Sequence, residues 1–171
     1  MSEDNRHWSE YNEVHPSFKH GANFKIGKYC CIEEDVVVGD NVELGYYVLL
    51  KKGTQIGSDT FVDSYVRSSG DNQVGNNVTL RFGATVARKV IIKDNAFVSP
   101  NVMTIYSKHT GETSTETVVG EGCHIGTNAV IGPNVSIADG AVVGALCFVN
   151  KDIESKGIYG GIPAKKLRDL G

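Results

Sequence analysis

Apolar positions recur every six residues through most of this chain. Residues 119 to 154 divide into the words VGEGCH, IGTNAV, IGPNVS, IADGAV, VGALCF and VNKDIE, each opening on Val or Ile, with compact residues such as Cys123, Ala129 and Ala141 at the fifth place. Thirteen more words precede them, opening at Ile26, Ile32, Val38, Leu44, Leu50, Ile56, Val62, Ser68, Val74, Leu80, Val86, Ile92 and Val98, and only Ser68 departs from the aliphatic rule. Each word buries one aliphatic side chain only if its neighbours stack on it, so the period predicts an all-β solenoid. In 14 of the 19 words the fourth place is Asn, Asp or Gly, the residues that tolerate a left-handed backbone at a tight corner. Three words make one triangular coil, and Tyr29, Tyr47 and Tyr65 fall at the 18-residue spacing this requires. About six coils follow.

Three stretches depart from the rhythm. Residues 1–25 hold Trp8, Tyr11, His15, Pro16, Phe18 and His20 without the repeat, and are expected to cap the first open rung. The solenoid is expected over 26–154, with a loop at 104–118, TIYSKHTGETSTETV, standing in place of one word. Residues 155–171 form a tail, in which Pro163 can open a short helix followed by Lys165, Lys166 and Arg168. Val37, Leu49, Phe61, Ile91 and Phe97 occupy sixth places and should face outward, which predicts subunit packing and, for flat prism faces, a homotrimer.

Candidate chemistry gathers on one column. The word SSGDNQ at 68–73 puts Ser68 and Asn72 at inward places, where polar groups need partners; it is either a water-filled kink or a substrate contact through residues such as Ser69 and Asp71. Eighteen residues on come Val86 and the basic corner Arg88-Lys89, and then the loop, so all three share an edge. A nine-residue excursion from a strict solenoid is where chemistry is expected. It holds Tyr106 and His109, and a histidine can accept a proton at neutral pH, although a plain surface residue fits the position equally.

Composition narrows the partners. A net charge of −3 without a long basic run argues against nucleic acid. The opening MSEDNRHW lacks an apolar signal region and no stretch reaches the length of a membrane span, so a cytoplasmic protein with no membrane partner is expected. Cys30, Cys123 and Cys147 take the small fifth place and should be core residues, with Cys31 pointing the other way. The spacing of His15 and His20 suits a surface pair better than a metal site, and no metal is expected.

The repeat, the stretch NVMTIYSKH at 101–109, the words from Cys123 to Ile153 and the tail GGIPAKKL at 160–167 together resemble the left-handed β-helix acyltransferases that use acetyl-CoA. The resemblance covers about residues 26–168 and implies a left-handed parallel β-helix. Two branches are similar. The sugar and antibiotic O-acetyltransferases have an Asn-Val followed by a histidine at the spacing of Asn101 and His109, which makes His109 the expected general base. The tryptophan often found before their Ile-Gly is His124 here, and the acceptor loop is shorter. The nucleotide-amino-sugar N-acetyltransferases resemble the chain in compactness and in the run from Asn77 to Asn101, but Arg81, Phe82 and Gly83 stand where some of them have an asparagine-containing stretch.

The resemblance further implies cofactor contacts. Thr127 corresponds to the backbone donor to the thioester oxygen, Ala145 to a contact with the pantetheine arm, and Asn150, Lys151 and Lys165, with Lys166 beside it, to groups near the nucleotide end of CoA. Substrate contacts are expected from Ser69, Asp71, Arg81, Arg88 and Tyr106. The implied reaction is direct acetyl transfer to a sugar hydroxyl or amine in a ternary complex, the sugar being expected to be nucleotide-linked. Two rivals use the same fold: a γ-class carbonic anhydrase, for which the central prism offers only His109 and His124, and a non-catalytic sugar-binding trimer.

Overall fold

A computed structural model describes residues 10–170. Two- and three-residue strands alternate with tight corners, and strands one coil apart pair in parallel, as Arg67 and Ser68 do with Thr85 and Val86. Three sheets result. The first face has eight strands, from Glu13–Val14 to Phe148–Val149; the second has seven, from Lys19–His20 to Ser136–Ile137. The third has nine, rising from Lys25–Ile26 to Val142–Val143 and ending in Ile158–Gly160 and Lys165–Arg168. This is the left-handed parallel β-helix that the period predicts.

The words account for the core. First-place side chains such as Ile32, Leu50, Val62 and Ile125 are at most 1% exposed, and the fifth-place Val36, Ala84, Ala129 and Ala141 are sealed beside them. Every fourth-place residue from Tyr29 to Leu146 has a positive φ, so the corner column read from sequence is a column of left-handed residues. Cys30, Cys123 and Cys147 are buried core thiols as expected, and Cys31 on the outer side is partly exposed.

Three expectations change. The eight-stranded first sheet makes about eight coils rather than six. Two of the added strands lie inside the expected cap, because Val14 pairs with Ile32 and His20 with Val38. There the large Phe18 and Phe24 take the fifth place and His20 a first place, which hid the words. Trp8 and the rest of residues 1–9 lie outside the described residues. In the tail, Lys165–Arg168 is a strand antiparallel to Ile158–Gly160 and not a helix. The last rung has an open edge, and pairing its N–H and C=O groups outweighs the helical bias of a Pro-led basic segment.

Candidate functional site

Two edges of the prism carry the candidate residues. The edge joining the first face to the second, here the loop edge, stacks Asp71, Arg88, Lys89 and the loop in successive coils. The Lys89 amide donates to the Asp71 carbonyl (3.0 Å), the Thr117 amide to the Lys89 carbonyl (2.9 Å), and Arg88 Nη1 pairs with Asp71 Oδ2 (3.1 Å). Thr104 Oγ1 accepts from the Ala87 amide (2.7 Å) and donates to the Thr85 carbonyl (3.0 Å), fastening the departure of the loop to the coil below.

All nine extra residues belong to the loop. Strand offsets rise from 18 to 27 residues across it, as Thr79 pairs with Phe97 but Phe97 with His124, and return to 18 above it. The loop is a small hairpin with a bridge between Ser107 and Thr113 and an ion pair of Lys108 with Glu112 (2.9 Å). Its return limb is anchored on the next corner, where Asn134 Oδ1 accepts from the Thr115 amide (2.8 Å) and Ser114 and Thr117 are buried. Tyr106 packs partly buried against the core, while His109 stands exposed in the turn at the tip. A cleft of about 230 Å³ opens at the base, lined by Asp71, Lys89, Thr115 and Glu116 among others.

The polar word resolves into a closed network. Asn72 Nδ2 donates to Ser68 Oγ (2.8 Å) and to the Val86 and Ala87 carbonyls (3.2 Å each), and the Ser68 and Thr54 hydroxyls meet at 2.5 Å. Ser68 and Asn72 are therefore internal, while Ser69, Asp71 and Gln73 of that word reach the surface.

The edge joining the third face to the first, here the tyrosine edge, carries Thr127 and Ala145. At several corners the third-place amide is capped by a side chain from the coil above: Asn76 by Asp94 (2.8 Å), Glu121 by Asp139 (2.8 Å), Tyr46 by Ser64 (3.0 Å). Above Thr127 stands Ala145, which has no acceptor to offer, and the Thr127 amide donates to no described group. An exposed backbone N–H is thus left open. Arg81 lies on the approach to the same edge, its Nε 3.2 Å from Asp63 Oδ2.

The structure divides the expected cofactor residues. Asn150 and Lys151 are exposed on the loop edge, away from Thr127 and Ala145. Lys165 and Lys166 lie on the added strand above the third face, Lys166 held by Asp169 and by Ser155 Oγ (3.1 Å). Substrate candidates divide as well, with Asp71, Arg88 and Tyr106 on one edge and Arg81 on the other. Sequence reasoning passed over the pair formed by His124, stacked on Phe97 at 5.0 Å, and Ser99, whose hydroxyl lies 3.5 Å from His124 Nε2. Their 25-residue separation is one coil lengthened by the loop, so no local spacing marks it. His15 and His20 are occupied locally, His15 Nδ1 by Ser17 Oγ (2.8 Å) and His20 by the Phe24 ring (5.0 Å). Among the described residues no three His, Cys, Asp or Glu side chains are placed to share an ion, and no helix is long and apolar enough to cross a membrane.

Residues 116–151 match the family described as bacterial transferase hexapeptide (six repeats). Over 53 residues the chain is 45% identical to a chloramphenicol acetyltransferase of Agrobacterium fabrum, covering 31% of this chain and 25% of the relative. Over 90 residues it is 33% identical to galactoside O-acetyltransferase of Escherichia coli, covering 47% and 44%. The chain therefore spans less than half the length of these curated relatives. Among solved structures, a mutant of AntD, an N-acyltransferase from Bacillus cereus in complex with dTDP and coenzyme A, shares the fold at TM-score 0.61 and 18% identity, over 90% of this chain and 84% of that one. Residues 116–151 thus carry that hexapeptide repeat, and the chain as a whole shares the parallel β-helix fold of that solved structure.

Proposed function

We propose that the protein is an acyltransferase that moves an acetyl group from acetyl-CoA to a hydroxyl or amino group of a sugar, by direct attack in a ternary complex. The observation that carries this reading is the single excursion of an otherwise strict solenoid, anchored at its base and exposing His109 at its tip. His109 takes the proton of the attacking group as the acceptor bonds to the thioester carbon. The open Thr127 amide donates to the oxyanion that forms, the carbon–sulfur bond then breaks, and CoA leaves as the thiolate. Relatives named as acetyltransferases over the matched words support the same chemistry.

His109 and Thr127 stand on different edges, with the first face between them. A site that unites them needs the loop of one copy beside the tyrosine edge of another, and closed three-fold packing of prisms provides three such sites. The division of the cofactor residues follows the same logic, with Thr127, Ala145 and Lys165 from one copy and Asn150-Lys151 from its neighbour. A homotrimer working on cytoplasmic acetyl-CoA is the resulting reading. Titration calorimetry with acetyl-CoA, beside sedimentation to fix the oligomer, tests it. Saturable binding of about one ligand per chain to a trimer is expected, and a monomer with no heat at millimolar ligand would overturn it.

A further inference from the structure

Below the Thr127 corner, the tyrosine edge carries aromatic side chains that the fold does not need. Tyr29, Tyr47 and Tyr65 hold fourth places with φ of 63°, 57° and 62°, where Asn, Asp or Gly would sit without strain. Their rings stack at 5.1 and 4.9 Å, which occupies the faces of the lower members and leaves mainly ring edges to solvent. At its lower end Tyr11 stands edge-on to Tyr29 (6.1 Å) with Lys28 over its ring, whereas the upper end is open. There Gly83 takes the fourth place, and the next aromatic, Phe82, stands one position earlier in the corner. It lies 5.2 Å from Tyr65, tilted 55° to it and 48% exposed.

Arg81 precedes Phe82 and is held by one nitrogen only. Asp63 Oδ2 takes its Nε, and Asp63 Oδ1 accepts from the Ser64 amide (2.7 Å), so the carboxylate is fully engaged in fixing the guanidinium. The two terminal nitrogens make no hydrogen bond among the described residues. A planar fork with its root fixed and its tips open suits a phosphate better than a lone flexible cation would. An aromatic face beside such a fork matches a ligand that carries a heteroaromatic base and a diphosphate together.

We propose that Phe82, with Tyr65 behind it, and Arg81 bind the nucleoside diphosphate of the acceptor, the base against Phe82 and a phosphate on Arg81, so that the acetylated sugar is nucleotide-linked. This rests on the acyltransferase reading and narrows it. Thr127 holds the same corner place as Phe82, two coils higher, through stacked contacts of Asn101 with the Phe82 carbonyl (2.9 Å) and Asn128 with the Pro100 carbonyl (3.0 Å). Two coil spacings amount to ~10 Å, a gap that ribose, diphosphate and one sugar ring bridge in a bent conformation between the base and the open amide. CoA also carries a base and a diphosphate, but the free cations suited to it, Lys165 and Lys151, lie at the upper end of the prism, at least three coils above Phe82. The lower cluster is therefore assigned to the acceptor.

Calorimetric titration of the purified full chain with UDP, dTDP and GDP, each alone and with saturating CoA, tests the assignment. One nucleotide should bind, CoA should not displace it, and Phe82→Ala or Arg81→Gln should each weaken it at least about tenfold with acetyl-CoA affinity unchanged. Phe82→Trp should retain binding. Acetyl-CoA binding without any nucleotide binding would overturn this inference alone. Nucleotide binding that CoA displaces, or that both variants leave intact, would also overturn it, by assigning the cluster to CoA or the nucleotide to another place. Failure of both ligands would remove the acyltransferase reading with it.

Discussion

Asn72 donates to Ser68 Oγ at 2.8 Å inside the coil, so the one word without apolar character is a closed polar plug directly beneath the loop edge. The Ser68–Asn72 pair is internal, and its value lies in fixing the corner that carries Asp71, Gly70 being tied to Ser68 Oγ at 3.1 Å. Replacing Asn72 by Ala strands the Ala87 carbonyl and part of the hydroxyl pair, at about 1–3 kcal/mol. Ser68→Val with Asn72→Val removes both ends of the bond and restores an apolar rung. Its cost should fall short of the sum of the single changes by at least about 0.5 kcal/mol, as read from urea midpoints; strict additivity would show that the two side chains are not coupled.

Coil spacing sets a second expectation. A Cβ on Gly126 would lie 2.5 Å from the Ala145 nitrogen and 2.6 Å from the Gly144 carbonyl carbon, backbone atoms that cannot step aside singly. Gly111 in the hairpin has φ +86° and nothing within 4 Å. Gly126→Ala should cost about 1–3 kcal/mol through forced separation of two coils, whereas Gly111→Ala pays only for its backbone, about 1–2 kcal/mol. Hydrogen exchange discriminates the two, with protection lost in the coils around Val143 in the first variant and only in the hairpin in the second. Loss confined to the hairpin in both would refute the packing argument.

The fold was legible wherever a word kept an aliphatic first place and a compact fifth, because those two positions alone decide what goes inside. It failed at Val14 and His20, where Phe18 and Phe24 fill the fifth place and the coil is built from aromatic packing instead. It failed again at Lys165–Arg168, whose conformation is dictated by the unpaired edge of Ile158–Gly160 and not by its own residues. The loop edge was legible since Ser68, Val86 and Thr104 follow the 18-residue count. The division of Thr127 and His109 between edges was not, because a linear spacing does not show which corner of a triangle a residue occupies until the register is fixed on both sides of the loop.

Thiol chemistry gives a third test. Burial raises the pKa of Cys30 and of Cys123, and Cys31, less buried, is also raised, by desolvation and then by the nearby Glu13 and Glu33 carboxylates. A raised thiol pKa keeps the unreactive protonated form at neutral pH. In the native protein, labelling by a disulfide reagent at pH 7 should be slow and confined to Cys31, speeding up as the pH rises above the ordinary thiol range, with the buried thiols released only by denaturant. Rapid labelling of Cys30 or Cys123 at pH 7 would mean that the solenoid opens locally.

The last expectation concerns how the site is shared. Thr127 can lose its amide proton without strain, because Pro100 already occupies the same corner place in the coil below and Pro133 the equivalent place at the next corner. Thr127→Pro should therefore fold normally and, if its N–H stabilises the oxyanion, lose about 10²–10³ in kcat. His109→Ala, at an exposed tip, should also keep the fold while losing about 10²–10⁴. The two lesions lie on different edges, so in an oligomer whose sites pair the loop of one copy with the corner of the next, they need not fall in the same site. Unfolding and refolding the two variants together in equal amounts should return about a quarter of wild-type activity, as random assembly makes one pairing in four intact. Each variant refolded alone should stay inactive. If the mixture is no more active than the separate variants, both groups act within a single chain, and the reading that the site spans two copies falls, although each residue could still be essential.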